Sequence, residues 1–391
     1  RRWKFRAEVA IAVSLNRRRW NMPHPGTEVD STYCRARQQR VLTWMQSHQA
    51  DVAILTQIEH VQYLVGPRFR EVFCPAVVVE SNGHVMLLAP GRTPTVSAAD
   101  EILTYESNWH STLRNDQRRE CSRVLLQWLA GRRKPNKIAC EFSTFPPHLA
   151  GDLACELLDI EPELYRLRRQ KDPDELARLN IAIAGTAGMH RRAREIVVPG
   201  INELDVYNEL QAVANRGFEE VMTGTGNDYA SGSRGGPPRD REIQDGELYI
   251  LDLGPAYRGY YADNTRTIAV GNQPTAEQQL AWQHCIRVFE LIEQEVRPGK
   301  QCRRLFEQAQ AILDAAPIGK FDHHLGHGIG LFPHEAPHLN PFWDDEFQVN
   351  EVFAVEPGLY APELNVGMRL ENNYLVTNDG VELLTDFPLQ L

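Results

Sequence analysis

The 391-residue chain lacks several things that would place it quickly. It has no run of 18 or more apolar residues, so no conventional membrane-spanning helix is expected. Its seven cysteines, at 34, 74, 121, 140, 155, 285 and 302, are odd in number and form no CxxC pair. That argues against a disulfide framework or a thiolate zinc site and for a reducing, cytoplasmic setting. Beyond the first residues there is no long basic run, and the net charge is -10, so no nucleic-acid partner and no membrane partner are expected. Gly and Pro are dispersed, there is no low-complexity tract, and no short-period repeat occurs.

What remains is an ordinary globular composition, 42% apolar and 24% charged, long enough for two or three domains with a large core. Residues 1–24 carry Arg1, Arg2, Lys4, Arg6 and Arg17 to Arg19 around a short apolar stretch containing Glu8. They read as a basic extension in preference to a signal peptide, whose core would be uncharged and followed by a small-residue cleavage site. From about 25 to 168, helical and strand-like segments alternate. Arg37 to Gln49 predicts a helix; Val52 to Leu55, Ala76 to Val79 and Val85 to Leu88 predict strands; Ser122 to Leu129 predicts another helix. Near 169 a charged stretch leads into Asp172-Pro173-Asp174-Glu175, a helix start with a cap, a first-turn proline and acids at the positive end. The domain boundary is placed there. Helices are expected at about 174–195, 203–215, 277–296 and 303–314, with strands between and after them, an α+β pattern.

The chemistry lies in two carboxylate-bearing hairpins. In Leu248 to Ile268 two strand-like runs flank a turn. A hairpin centred on Tyr257 and Arg258 sets Asp252 directly opposite Asp263, with Cβ atoms about 4.5–5.5 Å apart. Like charges so placed repel unless a cation lies between them. In Val352 to Val376, pairing around Glu363 and Leu364 brings Glu356 and Glu371 together as well. Both glutamates lie in apolar runs, where an unpaired charge carries a large desolvation cost. Between the hairpins, His323, His327 and His334 stand among glycines that let the backbone crowd a site. Four carboxylates and an imidazole form a hard ligand set whose charge balances two divalent ions, manganese, cobalt, zinc or iron, about 3.5–4 Å apart.

At these residues the chain resembles the pita-bread metallohydrolases: prolidases, aminopeptidase P, methionine aminopeptidases and creatinase. The resemblance implies an α+β fold, with a C-terminal pita-bread metallopeptidase domain (169–391) behind an α/β creatinase/prolidase-type N-terminal domain (25–168). It implies that Asp252 and Asp263 hold one metal and His327 and Glu356 the other, with Asp263 and Glu371 shared and a bridging hydroxide as nucleophile. It further implies that Glu356 shuttles a proton, that His323 and His334 contact substrate, that Arg369 stands near the glutamate ligand, and that the enzyme is a homodimer.

One position departs from the family. Gly235, 17 positions before Asp252, stands where prolidases and aminopeptidases P carry a histidine, and no histidine occurs from 191 to 283. A shift of alignment brings Arg234 near instead. The expected activity is an Xaa-Pro dipeptidase or aminopeptidase acting on a short peptide. Hydrolysis or lysis of a small nonpeptide compound is the alternative that the missing histidine suggests. A noncatalytic binding protein is the third reading, disfavoured by the complete ligand set.

Overall fold

The computed structural model describes residues 29–226, 228–271 and 273–391. The expected basic extension, 1–24, lies outside the described residues.

The first unit comprises α1 (Ser31–His48), β1 (Val52–Leu55), α2 (Ile58–Val65), β2 (Ala76–Glu80), β3 (Val85–Pro90), β4 (Glu101–Tyr105), the ribbon β5 (Asn108–Trp109) and β6 (Thr112–Leu113), α3 (Gln117–Ala130), β7 (Lys137–Cys140), α4 (Pro147–Leu153), β8 (Glu156–Asp159) and α5 (Glu161–Arg169). Helix α1 starts earlier than its apolar spacing predicts because the Asp30 carboxylate accepts the Thr32 N–H and caps the first turn. Six strands form a mixed sheet in the order β4-β3-β2-β1-β7-β8. β1, β2 and β3 are apolar at nearly every position because helices cover both faces of the sheet.

The second unit comprises α6 (Pro173–Ile196), α7 (Glu203–Phe218), β9 (Leu248–Leu253), β10 (Ala256–Tyr257), β11 (Tyr260–Tyr261), β12 (Asn264–Ala269), α8 (Ala276–Glu295), α9 (Cys302–Asp314), β13 (Gly326–Gly328), β14 (Glu335–Leu339), β15 (Val352–Val355), β16 (Gly358–Ala361), β17 (Val366–Arg369), β18 (Asn372–Val376) and β19 (Val381–Leu383). Helix α6 opens on a capping box, Asp172 with Glu175, as its sequence predicts. The α6–α7 pair packs over the β9–β12 ladder, and the α8–α9 pair packs over a five-stranded sheet ordered β14-β13-β15-β18-β19. Each helix pair thus covers one sheet, and the four carboxylates lie on or next to β9, β12, β15 and β18.

A shared core joins the units: Val41 and Leu87 belong to the same apolar cluster as Ile329 and Ala354. Charged clamps reinforce it. Buried Arg37 reaches Asp172 at 2.8 Å, Asp174, and Glu175 at 3.3 Å. Arg168 donates to His60 Nε2 at 3.1 Å and to Glu335, whose other oxygen accepts Lys171 Nζ at 3.0 Å. Glu335 follows His334 in the chain, so this clamp anchors the segment that bears that histidine.

Candidate metal centre

The first hairpin is displaced from its expected register. Thr265, not Asp263, lies opposite Asp252, and the turn centres on Arg258 and Gly259 between Tyr257 and Tyr260. Both turn residues have positive φ, 48° and 88°, as a two-residue turn matched to strand twist requires, and Gly259 meets that need where Tyr257 would not. The shift is two residues along the partner strand, an even number. Asp252 and Asp263 therefore stay on one face as diagonal neighbours.

The second hairpin has the expected register. Val355 faces Asn372 and Gly358 faces Arg369, and Glu356 and Glu371 lie between these pairs at the junction of two ladders. His327 is the central residue of β13, beside β15. Its Nδ1 lies 3.1 Å from the Gly328 carbonyl, so Nδ1–H donates there and the Nε2 lone pair faces Asp263 at 3.7 Å and Glu356 at 3.5 Å.

All eight expected residues, Asp252, Asp263, His323, His327, His334, Glu356, Arg369 and Glu371, line one cavity of about 330 Å³. A larger cavity of about 740 Å³ lies between the units near Arg68 and Arg258 and, among the described residues, is lined by no histidine. Within the smaller one, a ligand atom from each of Asp263, His327 and Glu371 lies within 4.8 Å of the others.

The electrostatics of this cluster suit cations. Burial, and then the neighbouring carboxylates, push the Asp263 and Glu371 carboxyls well above the usual range. Asp252 Oδ1 is buried without a hydrogen-bond partner among the described residues. Burial and the adjacent His334 lower His327 to about 4, leaving a neutral imidazole able to ligate. Burial raises Glu356, but the hydrogen bond and charge of His324, with His327 and Arg369, outweigh it and hold that carboxyl below its ordinary value. An orphaned carboxylate oxygen and two carboxyls forced toward neutrality fit a dinuclear cation site.

Neighbouring side chains hold these carboxylates and imidazoles in place. Thr265 donates to Glu371 Oε2 at 2.9 Å, and Arg369 donates to Asp252 Oδ2 at 2.7 Å and to Asp228. His334 stacks on His327 with centroids 3.7 Å apart, and His323 Nε2 lies 3.0 Å from the Tyr360 hydroxyl.

Two cavity-lining residues, His324 and Tyr360, were absent from the expected set, and Arg234, which entered only through a shift of alignment, lines the cavity as well. His324 Nε2 sits 2.6 Å from Glu356 Oε1. The adjacent pair His323-His324 was a sequence signal for it, since an imidazole next to an expected site residue is close enough to enter the same cavity. Tyr360 lies four residues past Glu356, on the same face of the hairpin by strand alternation. Arg234 lies beside the departure at Gly235, and its guanidinium covers the Tyr360 ring at 3.9 Å.

Most of the chain is similar to known proteins. Residues 177–378 match the model of metallopeptidase family M24, and residues 37–170 match that of the creatinase/prolidase N-terminal domain. A probable dipeptidase PepE of Mycobacterium tuberculosis is 32% identical over 235 residues, 58% of this chain and 61% of that protein. A peptidase of Staphylococcus epidermidis is 30% identical over 234 residues, 59% of this chain and 66% of its own. The matched stretch is thus less than two thirds of the length of these curated relatives. Among solved structures, the Xaa-Pro dipeptidase from Bacillus anthracis superposes with a TM-score of 0.77 at 22% identity, covering 92% of this chain and 99% of that one. The prolidase from Pyrococcus furiosus gives 0.73 at 22% identity, covering 89% and 99%. At that identity the likeness speaks for the shared two-domain fold.

Proposed function

This chain belongs to metallopeptidase family M24, and from that premise we propose that it is a dinuclear metal-dependent hydrolase acting as an Xaa-Pro peptidase, dipeptidase or aminopeptidase, on short peptides. The observation that carries the reading is the convergence of Asp252, Asp263, His327, Glu356 and Glu371 on one cavity, with two of the carboxyls forced up and one oxygen orphaned. In this reading the domains are 25–168 and 169–391, and the cofactor is two divalent ions, manganese, cobalt, zinc or iron. Asp252, Asp263, His327, Glu356 and Glu371 would hold these ions, Asp252 and Asp263 on one side of the cluster and His327 and Glu356 on the other, with Glu371 between them. When bound, such ions supply Lewis acidity that lowers the pKa of water and offsets charge on a developing oxyanion.

The protein's own groups do the rest. Glu356, within 2.6 Å of His324, holds and passes a proton at its carboxylate. His334, lining the cavity beside His327, donates to the carbonyl oxygen of the cleaved bond as negative charge builds there. Arg369 keeps Asp252 turned toward the centre, and His323 with Tyr360 lines the substrate side. A homodimer in the cytoplasm completes the proposal; the seven unpaired thiols support that compartment.

Gly235 and the Asp228 carboxylate beside it favour a second reading, a small nonpeptide substrate, because the family's substrate-facing imidazole is replaced here. The test is hydrolysis of an Xaa-Pro dipeptide and an Xaa-Pro-Xaa tripeptide by metal-stripped protein with each metal restored. Metal-dependent cleavage supports the peptidase, and two-metal binding without cleavage of either peptide rejects it in favour of the nonpeptide substrate.

A further inference from the structure

The position that departs from the family is filled, but not by a side chain of its own. A Cβ added at Gly235 would overlap the carboxylate of Asp228, which accepts the Gly236 N–H at 2.7 Å and pairs with Arg369. No residue with a side chain fits there while Asp228 is in place. Its neighbour Arg234 extends into the cavity wall instead, with its guanidinium over the Tyr360 ring.

The two arginines of this cavity differ in their freedom. Arg369 is 8% exposed, and its guanidinium is committed to Asp228 and Asp252. Arg234 has a side chain 48% exposed and is paired with Asp322, itself 51% exposed, through NH1 to Oδ2 at 3.1 Å and through NH2 to Oδ1. An ion pair this open to water contributes little, so exchanging Asp322 for another carboxylate carries a small cost. The fork of a guanidinium matches a planar carboxylate bidentately, and stacking on Tyr360 restrains the fork in advance. Arg234 is also tied to the ligand cluster. Its carbonyl accepts Arg369 NH1 at 3.2 Å, and the same guanidinium holds Asp252.

We infer that Arg234 is the anchor for the substrate's terminal carboxylate, and that it directs this site toward dipeptides. The inference rests on the peptidase reading above. In an Xaa-Pro dipeptide the free carboxylate lies one residue past the cleaved bond, within about 3.6 Å of chain. A longer peptide or an amide presents a neutral group at that place, leaving the guanidinium with Asp322 as its partner.

The experiment compares Ala-Pro, Ala-Pro amide and Ala-Pro-Ala as substrates of the metal-loaded wild type, Arg234→Met and Arg234→Lys. The wild type is expected to favour Ala-Pro over its amide at least tenfold in kcat/KM. Arg234→Met should reduce that ratio at least tenfold through KM, with kcat for Ala-Pro within threefold. Arg234→Lys, which keeps the charge but not the fork, should recover part of it. Equal loss on Ala-Pro and its amide, or no loss on either, overturns the inference. A second arm does not depend on turnover: calorimetric binding of L-proline and L-prolinamide to the same proteins. If the wild type cleaves none of the peptides, the peptidase reading falls and binding alone decides this one. Preference for L-proline that disappears in Arg234→Met sustains the anchor, and equal binding of the two ligands by the wild type overturns it.

Discussion

Thr265 donates its hydroxyl to Glu371 at 2.9 Å, tying the carboxylate of the second hairpin to the strand that carries the first. The same hydroxyl oxygen lies 3.3 Å from Arg369 Nε, so one small side chain orients two functional residues. Thr265→Val keeps the shape and removes both contacts. The expected result is a metal affinity weakened about 10- to 100-fold, with turnover regained at saturating metal. Titration of metal-stripped protein with manganese, followed by calorimetry and by activity, measures it; an unchanged affinity would show that Glu371 holds its position without the hydroxyl.

Asp263→Asn and His327→Ala should each lower turnover by orders of magnitude, because each removes a proposed metal ligand. A protein that served only to bind a partner would keep that partner in both variants, so turnover and partner capture, measured side by side, separate the two classes.

Chelation should lower the melting temperature, since it leaves Asp263 and Glu371 facing other carboxylates in a buried site. Both carboxyls are raised in the folded state, by burial first and by their neighbours second. A raised carboxyl contributes stability that is fully present below its unfolded pKa, about 4, and lost as pH rises through the folded value. The metal-free wild type should therefore weaken from mildly acidic toward neutral and higher pH. Metal-free Asp263→Asn should show a flatter profile and be at least as stable at neutral pH. Thermal melts across pH, with and without chelator, read both effects, and identical profiles would refute the account.

Glu335 gives the opposite sign. Burial raises its carboxyl, but Arg168 and Lys171 outweigh that and lower it to about 2. Its contribution is present above the unfolded value, about 4.3, and lost as pH falls through the folded one. Glu335→Gln leaves two buried cations short of a partner and should cost about 3 kcal/mol at neutral pH. The variant should also lose less stability than wild type between about pH 4.3 and about 2. Denaturant melts at neutral and acid pH provide the comparison.

Gly235→Ala should destabilise the protein by about 1–3 kcal/mol, because the new methyl overlaps Asp228. Gly235→His, the family's residue, should fare no better by itself. Paired with Asp228→Gly it should be tolerated better than the sum of the two single changes predicts, and a double-mutant cycle on stability measures that coupling. Additivity would mean that Asp228 is not what excludes a side chain at 235.

Much of this protein was legible before its fold was seen, and the reason is the locality of strand alternation. Whether two carboxylates of a hairpin share a face depends on the parity of their separation and of the pairing register. That is why Asp252 and Asp263 remained partners on one face although the turn lay at Arg258-Gly259 and not at Tyr257-Arg258. For Glu356 and Glu371 the register itself was readable from the apolar runs on either side. Helix starts at Pro173 and Glu203 were readable too, because capping depends on neighbours a few residues away.

The sequence by itself therefore determined the parity of both hairpins, and with it which carboxylates share a face and stand as proposed ligands. Only the tertiary structure decided that His324 turns to Glu356, that Asp228 occupies the space a side chain at 235 would need, and that Arg234 lies over Tyr360 at the cavity wall. Those relationships join residues 7 to 126 positions apart along the chain, with most of them crossing between separate loops and strands. No periodicity or turn propensity encodes such contacts; they follow from how the two covered sheets meet.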